Sequence, residues 1–277
     1  MRSNPGWVVF TDLDGSLLDS GTYSFEAARP ALDELKRRGA AIVPCTSKTA
    51  GETRYFMERL GIKAPYIVEG GGGIHIPGGC FPGMSTIGEW REDGRLIKLA
   101  VGYDEVLQGM EEIRQATQGR VVGFHDMTPQ RIARETGLSL DLARLAKQRE
   151  FDEPFLLLDR EEAWPADLEA RVSRRGLRVA RGGGFWHLHG DTDKGRAVEV
   201  VKSFYRATQG SIRTMGIGDS PMDLSMLEVA DVRIVIPGPP WTADLLPLRE
   251  LKHAILARRP GAEGWGQAVL EALGQSA

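Results

Sequence analysis

A chain of 277 residues, 42% of them hydrophobic and 26% charged, has the composition of a folded globular protein, with apolar material for one large domain or two modest ones. Its net charge of −3 gives no electrostatic basis for binding nucleic acid or an anionic membrane surface. Cys45 and Cys80 form neither a metal-binding spacing nor a disulfide framework, and no apolar stretch is long enough for a membrane span or a secretory leader, so a reducing cytoplasm is expected.

In chain order, strand-like and helix-like segments alternate. Val8 to Thr11 predicts a short buried strand, and SFEAARPALDELKRRG a helix stopped by Gly39. AAIVPCTS predicts a second strand, KTAGETRYFMERLG a helix ended by Gly61, and PYIVEG a third strand. Short links between such units imply a parallel sheet with crossover helices. After the glycine-rich GGGGIHIPGGCFPG the pattern becomes less regular. RLIKLAVG, VVGFHDM and EPFLLLD read as strands, and DEVLQGMEEIRQATQG and TPQRIARETGLSLDLARLAKQRE as helices with Thr128 and Ser139 as N-caps. DLEARVSRRG and LRVARGGGFWHLHG close this region. The parallel pattern resumes with the amphipathic helix DKGRAVEVVKSFYRATQG, the strand IRTMGIGD, the helix SPMDLSMLEVA, the strand VRIVIP and a last helix near WGQAVLEALG. The expected fold class is α/β, a Rossmann-like parallel sheet formed by residues 1–83 and 187–277, interrupted by an α+β insert at 84–186.

Ligands of open α/β sheets bind beyond the carboxyl ends of the parallel strands. The first strand ends in Asp12 and Asp14, the second in Thr46-Ser47-Lys48, and the strand after the insert in Gly218-Asp219 with Asp223 beyond it. Lys194 opens the helix that follows the insert. Carboxylates converging there repel one another unless a cation joins them, and an all-oxygen ligand set without a His or Cys pair points to Mg²⁺. Thr46, Lys194 and the backbone N–H groups after Asp12 then form a phosphate cradle. Asp12 is placed to attack phosphorus and Asp14 to reach the leaving oxygen.

Asp12–Gly15 (DxDG), Thr46, Lys194 and Asp219–Asp223 (GDxxxD), in this order, resemble the haloacid-dehalogenase-like phosphatases, and the insert resembles their C2-type α+β cap. FTDLDGSLLD, CTSKTAGE, IVEGGGGIHIP, REFDEPF, GGGFWHLHG…DKGRAV and GIGDSPMDLSML extend the resemblance over nearly the whole chain, to the family of mannosyl-3-phosphoglycerate phosphatases. The resemblance implies hydrolysis of a phosphorylated sugar-glycerate, a small-molecule substrate, through an aspartyl-phosphate on Asp12. Asp14 would serve as acid and then base, and Mg²⁺ would be held by Asp12, the Asp14 carbonyl and Asp219, with Asp223 in support. The product would be a compatible solute. Glucosyl-3-phosphoglycerate or another sugar phosphate, a phosphosugar mutase and an inactive binding module are the alternatives. Met222, Gly70 and Gly184 depart from the family pattern, which has Asn, Asn and Arg there.

For the substrate, Ser47 and Lys48 stand beside Thr46 for the acid group. Glu153 is expected on a sugar hydroxyl, with Arg149 a second choice. Gly71 and Gly72 belong to a hinge that the resemblance also turns toward substrate. His187 and His189 alternate in a strand-like stretch without an evident third metal ligand.

Overall fold

The computed structural model describes residues 6–82, 87–158, 168–182, 184–238 and 251–274. Its centre is β1 (Gly6–Thr11), whose Val8, Val9 and Phe10 are fully buried. Burial of such side chains stabilises the fold by about 1.5–3 kcal/mol each. β1 lies between β2 (Ala41–Pro44) and β11 (Ile212–Gly218) in a five-stranded sheet completed by β12 (Val232–Val235) and β13 (Ile255–Leu256), all parallel. Phe10 stands opposite Val43 on one side and Gly216 on the other, so the carboxyl ends of the three strands lie level.

Helices α1 (Arg29–Arg37) and α2 (Ala50–Leu60) follow β1 and β2. In α2 the Thr49 side chain accepts from the Glu52 N–H while the Glu52 carboxylate accepts from the Thr49 N–H, and Gly61 closes the helix in the left-handed region. The carboxyl-terminal helix, Gly261–Gly274, packs on α1, and its Trp265 Nε1 donates to Thr11 Oγ1 at 2.9 Å, pinning the end of β1.

The third strand departs from the expected pattern. β3 (Tyr66–Val68) meets the parallel sheet through a single bridge, Cys45 to Ile67. It then pairs antiparallel with β4 (Gly73–Pro77), which the glycine-rich stretch had concealed. β4 pairs with β6 (Gly94–Lys98), and β6 with β5 (Glu89–Arg91), so this sheet crosses the expected boundary at 83/84.

The inserted α+β unit has a third sheet, in the order β7 (Val121–Gly123), β8 (Asp152–Leu157), β10 (Phe185–Gly190) and β9 (Leu177–Gly182). α3 (Tyr103–Ala116) and α6 (Leu168–Ser173) cover one face, burying Val106, Met110, Ile113, Phe155 and Leu188 in a core of its own. The other face, with α4 (Pro129–Thr136) and α5 (Leu140–Ala146), packs on the main core through Val122, Phe124, Leu142 and Ala146. β10 carries the cap sheet to Gly190, past the expected boundary at 186. α7 (Lys194–Gln209) then returns the chain to the parallel sheet, and α8 (Leu224–Glu228) packs on β11.

Candidate active site

The candidate site is built on the ends of β1 and β11. The Asp12 N–H donates to the Ile217 carbonyl at 2.9 Å, and the Thr11 hydroxyl donates to the Asp12 carbonyl at 2.8 Å, so the first residue past β1 is held from both sides. Lys194, the first residue of α7, is buried and donates to Asp12 Oδ1 at 2.8 Å and to Asp223 Oδ1 at 2.6 Å. Asp223 Oδ2 accepts from the Asp219 N–H, the Ser220 N–H and the Ser220 hydroxyl, which shapes the loop after β11. Asp219 takes a hydrogen bond from Ser16 Oγ at 3.1 Å. Gly15, at φ +78°, lies so close that a Cβ would stand 2.5 Å from Asp219 Oδ2.

Carboxylate oxygens of Asp12, Asp219 and Asp223 fall within 4.8 Å of one another. Burial, with Asp223 and Asp14 nearby, pushes the Asp12 carboxyl up to about 7 despite Lys194. Burial and then Asp12 and Asp223 push Asp219 well above the usual carboxylate range. Burial by itself would lower Lys194, yet Asp12 and Asp223 hold it above its ordinary value. One ammonium among three carboxylates, those of Asp12 and Asp223 buried and that of Asp219 half-buried, leaves the cluster short of positive charge. An all-oxygen donor set of this kind fits a hard divalent cation.

The loop after β2 brings in the next group. Thr46 is buried, and its Oγ1 accepts the Lys48 N–H at 3.2 Å. Lys48 does not project into an open cavity. Its Nζ lies 2.8 Å from Asp14 Oδ2 and 3.4 Å from Glu52 Oε1, with the rings of Tyr23 and Phe56 at 5.0 and 5.4 Å. The Asp14 side chain therefore stands outside the Asp12–Asp219–Asp223 group.

Between core and cap, Gly71 (φ +103°) brings its backbone against the start of α7, where a Cβ would stand 2.3 Å from the Asp193 carbonyl oxygen. A Cβ at Gly72 would stand 2.4 Å from Phe151 Cβ. Both glycines are thus demanded by close packing. Arg149 is buried, and donates to the carbonyls of Ser47 (2.8 Å) and Ala146 (2.9 Å) and to Asp152 (3.2 Å), so it links the cap to the Thr46–Lys48 loop. Glu153 does not face the carboxylate cluster. Successive strand residues face opposite ways. Asp152 points toward His187, at 2.9 Å, while Glu153 turns to the helix side of the cap sheet, where it accepts from Tyr103 Oη (2.5 Å) and the His125 N–H (2.8 Å). There it lines a cavity of about 250 Å³ with Leu107, Met110, Arg114, His125 and Asp126, none of them in the carboxylate cluster. His187 is bound to Asp152 and the Gly182 carbonyl, not to a second histidine.

Met222 packs on two glycines: a Cβ on Gly70 would lie 3.3 Å from its methyl group, and one on Gly182 2.6 Å from its sulfur. A side chain at 70 and Met222 would compete for the same space, so these two departures from the family pattern fit each other. The sequence reading missed Ser16, Ser220, Glu52 and Glu69. The first three flank recognised motifs, and the T-x-x-E capping pattern singles out Glu52. Glu69 had no local signal: its carboxylate accepts the N–H groups of Glu150 (3.1 Å), Phe151 (2.7 Å) and Asp152 (2.9 Å) across the core–cap junction.

A parallel α/β core with an α+β insert, an aspartate after the first strand, a lysine across from it and an acidic loop after β11 define a haloacid dehalogenase-like phosphatase. The sequence pattern described as haloacid dehalogenase-like hydrolase matches residues 9–79. The chain is 36% identical over 274 residues to the glucosyl-3-phosphoglycerate/mannosyl-3-phosphoglycerate phosphatase of Methanococcoides burtonii, covering 97% of this chain and 98% of that one. It is 37% identical over 270 residues to the protein of the same name in Persephonella marina, covering 97% of each. The sucrose-phosphatase of Synechocystis sp. PCC6803, solved with sucrose and phosphate, shares the fold at a TM-score of 0.61, with 16% identity over 98% of both chains. The chain belongs to the haloacid dehalogenase-like hydrolases, in the branch of the glycosyl-3-phosphoglycerate phosphatases.

Proposed function

We propose that the chain hydrolyses mannosyl-3-phosphoglycerate to mannosylglycerate and phosphate, in the cytoplasm, with Mg²⁺ as cofactor. The observation that carries this reading is the Lys194 bridge between Asp12 and Asp223, with Asp219 alongside, in a chain related end to end to phosphatases of that name. Glucosyl-3-phosphoglycerate is the second reading, because both relatives carry it in their names.

Lys194 holds Asp12 Oδ1, and the other carboxylate oxygen attacks phosphorus. As the phosphorus–oxygen bond to the glycerate breaks, Asp14 gives its proton to the departing oxygen. Asp14 then takes a proton from the water that attacks the aspartyl-phosphate, releasing phosphate and restoring Asp12. Thr46 and the N–H groups past Asp12 bind the phosphoryl oxygens, and Lys194 offsets their charge. Asp12, Asp219 and the Asp14 carbonyl would hold Mg²⁺, which supplies further positive charge at the phosphoryl group when bound, while Asp223 orders the loop. Ser47, Gly71 and Gly72 line the approach from the hinge. The cap, drawn at 84–186 with β10 completing its sheet, selects the sugar, and Arg149 couples it to the phosphate loop.

The test is phosphate release from purified protein with Mg²⁺, comparing the mannosyl and glucosyl esters below saturation. The expected result is a higher kcat/KM for the mannosyl ester, with activity lost in EDTA and restored by Mg²⁺. Equal rates would replace selectivity by dual specificity. Release of phosphate from neither ester would overturn the substrate assignment, and EDTA-resistant release the cofactor.

A further inference from the structure

We propose that Lys48 is a positioning residue for Asp14, aiming the carboxyl that protonates the leaving oxygen, and not a receptor for the acid group of the substrate. The inference rests on the proposed phosphatase reaction and deepens it. Four observations carry it. The Lys48 side chain is only 4% exposed, so its ammonium is not offered to a ligand arriving from solvent. Its charge is already matched by Asp14 Oδ2 at 2.8 Å and Glu52 Oε1 at 3.4 Å. Glu52 is fixed, since its Oε2 accepts from the Thr49 N–H at 3.0 Å and its own N–H donates to Thr49 Oγ1 at 3.2 Å. The ring of Tyr23 lies 5.0 Å away and that of Phe56 5.4 Å, two aromatic neighbours suited to a desolvated cation.

Asp14 is held quite differently. Its side chain is 39% exposed, but Oδ1 is buried and has no hydrogen-bond partner among the described residues. Lys48 therefore grips one oxygen of a carboxyl whose other oxygen is shielded from solvent and unpaired among the described residues. That is the arrangement an acid–base group needs: one oxygen fixes the orientation and the other exchanges the proton with the substrate. Rotation of the Asp14 side chain away from the reacting bond is opposed by a lysine that cannot follow it, because Glu52 and two rings confine that lysine. The confinement extends to the cap. Tyr23 Oη donates to the Thr136 carbonyl of α4 at 2.8 Å, and Thr49 Oγ1 to the Leu145 carbonyl of α5 at 3.0 Å. The aim of Asp14 thus depends on the cap being docked.

The experiment compares kcat/KM of the full-length protein and its Lys48→Met variant on three phosphate monoesters. These are mannosyl-3-phosphoglycerate, glycerol phosphate (an alkyl ester without a carboxylate) and p-nitrophenyl phosphate, whose phenolate departs with little need of a proton. kcat/KM reports the steps up to departure of the leaving group, the step in which Asp14 gives its proton. The expected result is a loss on both alkyl esters at least tenfold greater than the loss on p-nitrophenyl phosphate. In an Asp14→Asn background, Lys48→Met should add less than about threefold on the alkyl esters, because residues acting as a unit are not additive. A loss equal on all three monoesters would reduce Lys48 to scaffolding and overturn the proposal. So would a loss confined to the phosphoglycerate ester and carried by KM, which would make Lys48 the receptor for the acid group. If the parent turned over the other two esters but not mannosyl-3-phosphoglycerate, the substrate assignment would fall, and the alkyl-to-aryl comparison would still decide the role of Lys48.

Discussion

At the scale of single residues, position relative to a strand end decided what could be read. Asp12, Thr46 and Asp219 follow apolar runs, and the open-sheet rule sends such residues to one rim. Lys194 meets Asp12 there because its helix begins on the same side. Partners across the chain had no such signal. Nothing local joins Lys48 to Asp14, or Glu69 to the backbone of residues 150–152. Glu153 shows a sharper limit. A strand exposes alternate residues to alternate faces, and only pairing with β10 settles which of Asp152 and Glu153 looks toward the core. Its actual place makes a prediction. Burial pushes its carboxyl up to about 7, with Tyr103, the His125 N–H and Arg149 opposing. The folded protein then binds this proton more tightly than the unfolded chain, whose carboxyl titrates near 4.5. The resulting stabilisation is complete below about pH 4.5 and is lost as pH rises through about 7. Glu153→Gln removes the titration, so its stability relative to the parent should improve between pH 5 and pH 8, by up to about 3 kcal/mol. Urea unfolding at the two pH values measures it; a constant gap would mean that Glu153 is not a raised carboxyl.

Elements were legible where the hydrophobic period was clean. β1, β2, α2 and α7 lie where the spacing predicts them, and the Thr49–Glu52 capping box accounts for the start of α2. β4 escaped because Gly73, Ile74, His75 and Ile76 follow three glycines, and such a run reads as a loop until β3 and β6 are seen on either side. The glycines before it are packing devices. Gly71→Ala would drive a methyl group into the Asp193 carbonyl, displacing the turn that presents Lys194. Gly79, at φ +86°, has nothing within 4 Å of its would-be Cβ and bears backbone strain alone. Gly79→Ala should cost about 1 kcal/mol of stability, the strain of an L-residue at positive φ. Gly71→Ala should cost more than about 2 kcal/mol and lower kcat on phosphate esters, because overpacking adds to the strain. Thermal unfolding and phosphate release on the pair check this. Equal costs would show that the Gly71 contact yields freely.

At the scale of the whole molecule, the cap is docked by both apolar and polar contacts. Phe124, Met127, Leu142 and Ala146 join the main core, as a hydrophobic interface predicts. Beside the links through Arg149, Tyr23 and Thr49, the polar part includes Glu69, a buried residue at φ +50°, outside the region most side chains adopt. Strain at such a position persists only when surrounding contacts over-determine it, and three N–H groups from the opposite side of the junction do so here. Without the carboxylate those amides would be buried and unsatisfied, each at a cost of about 1–3 kcal/mol unless water enters. Water enters most easily if the junction opens, so the cost favours a displaced cap over an unfolded chain. Glu69→Ala should therefore accelerate hydrogen exchange of the amides of Glu150, Phe151 and Asp152 by tenfold or more, while leaving those of β1 and β11 close to parental rates. Global destabilisation would instead accelerate the most protected amides of the parallel sheet together with the junction. Unchanged exchange at 150–152 would mean that the remaining contacts hold the cap down without Glu69.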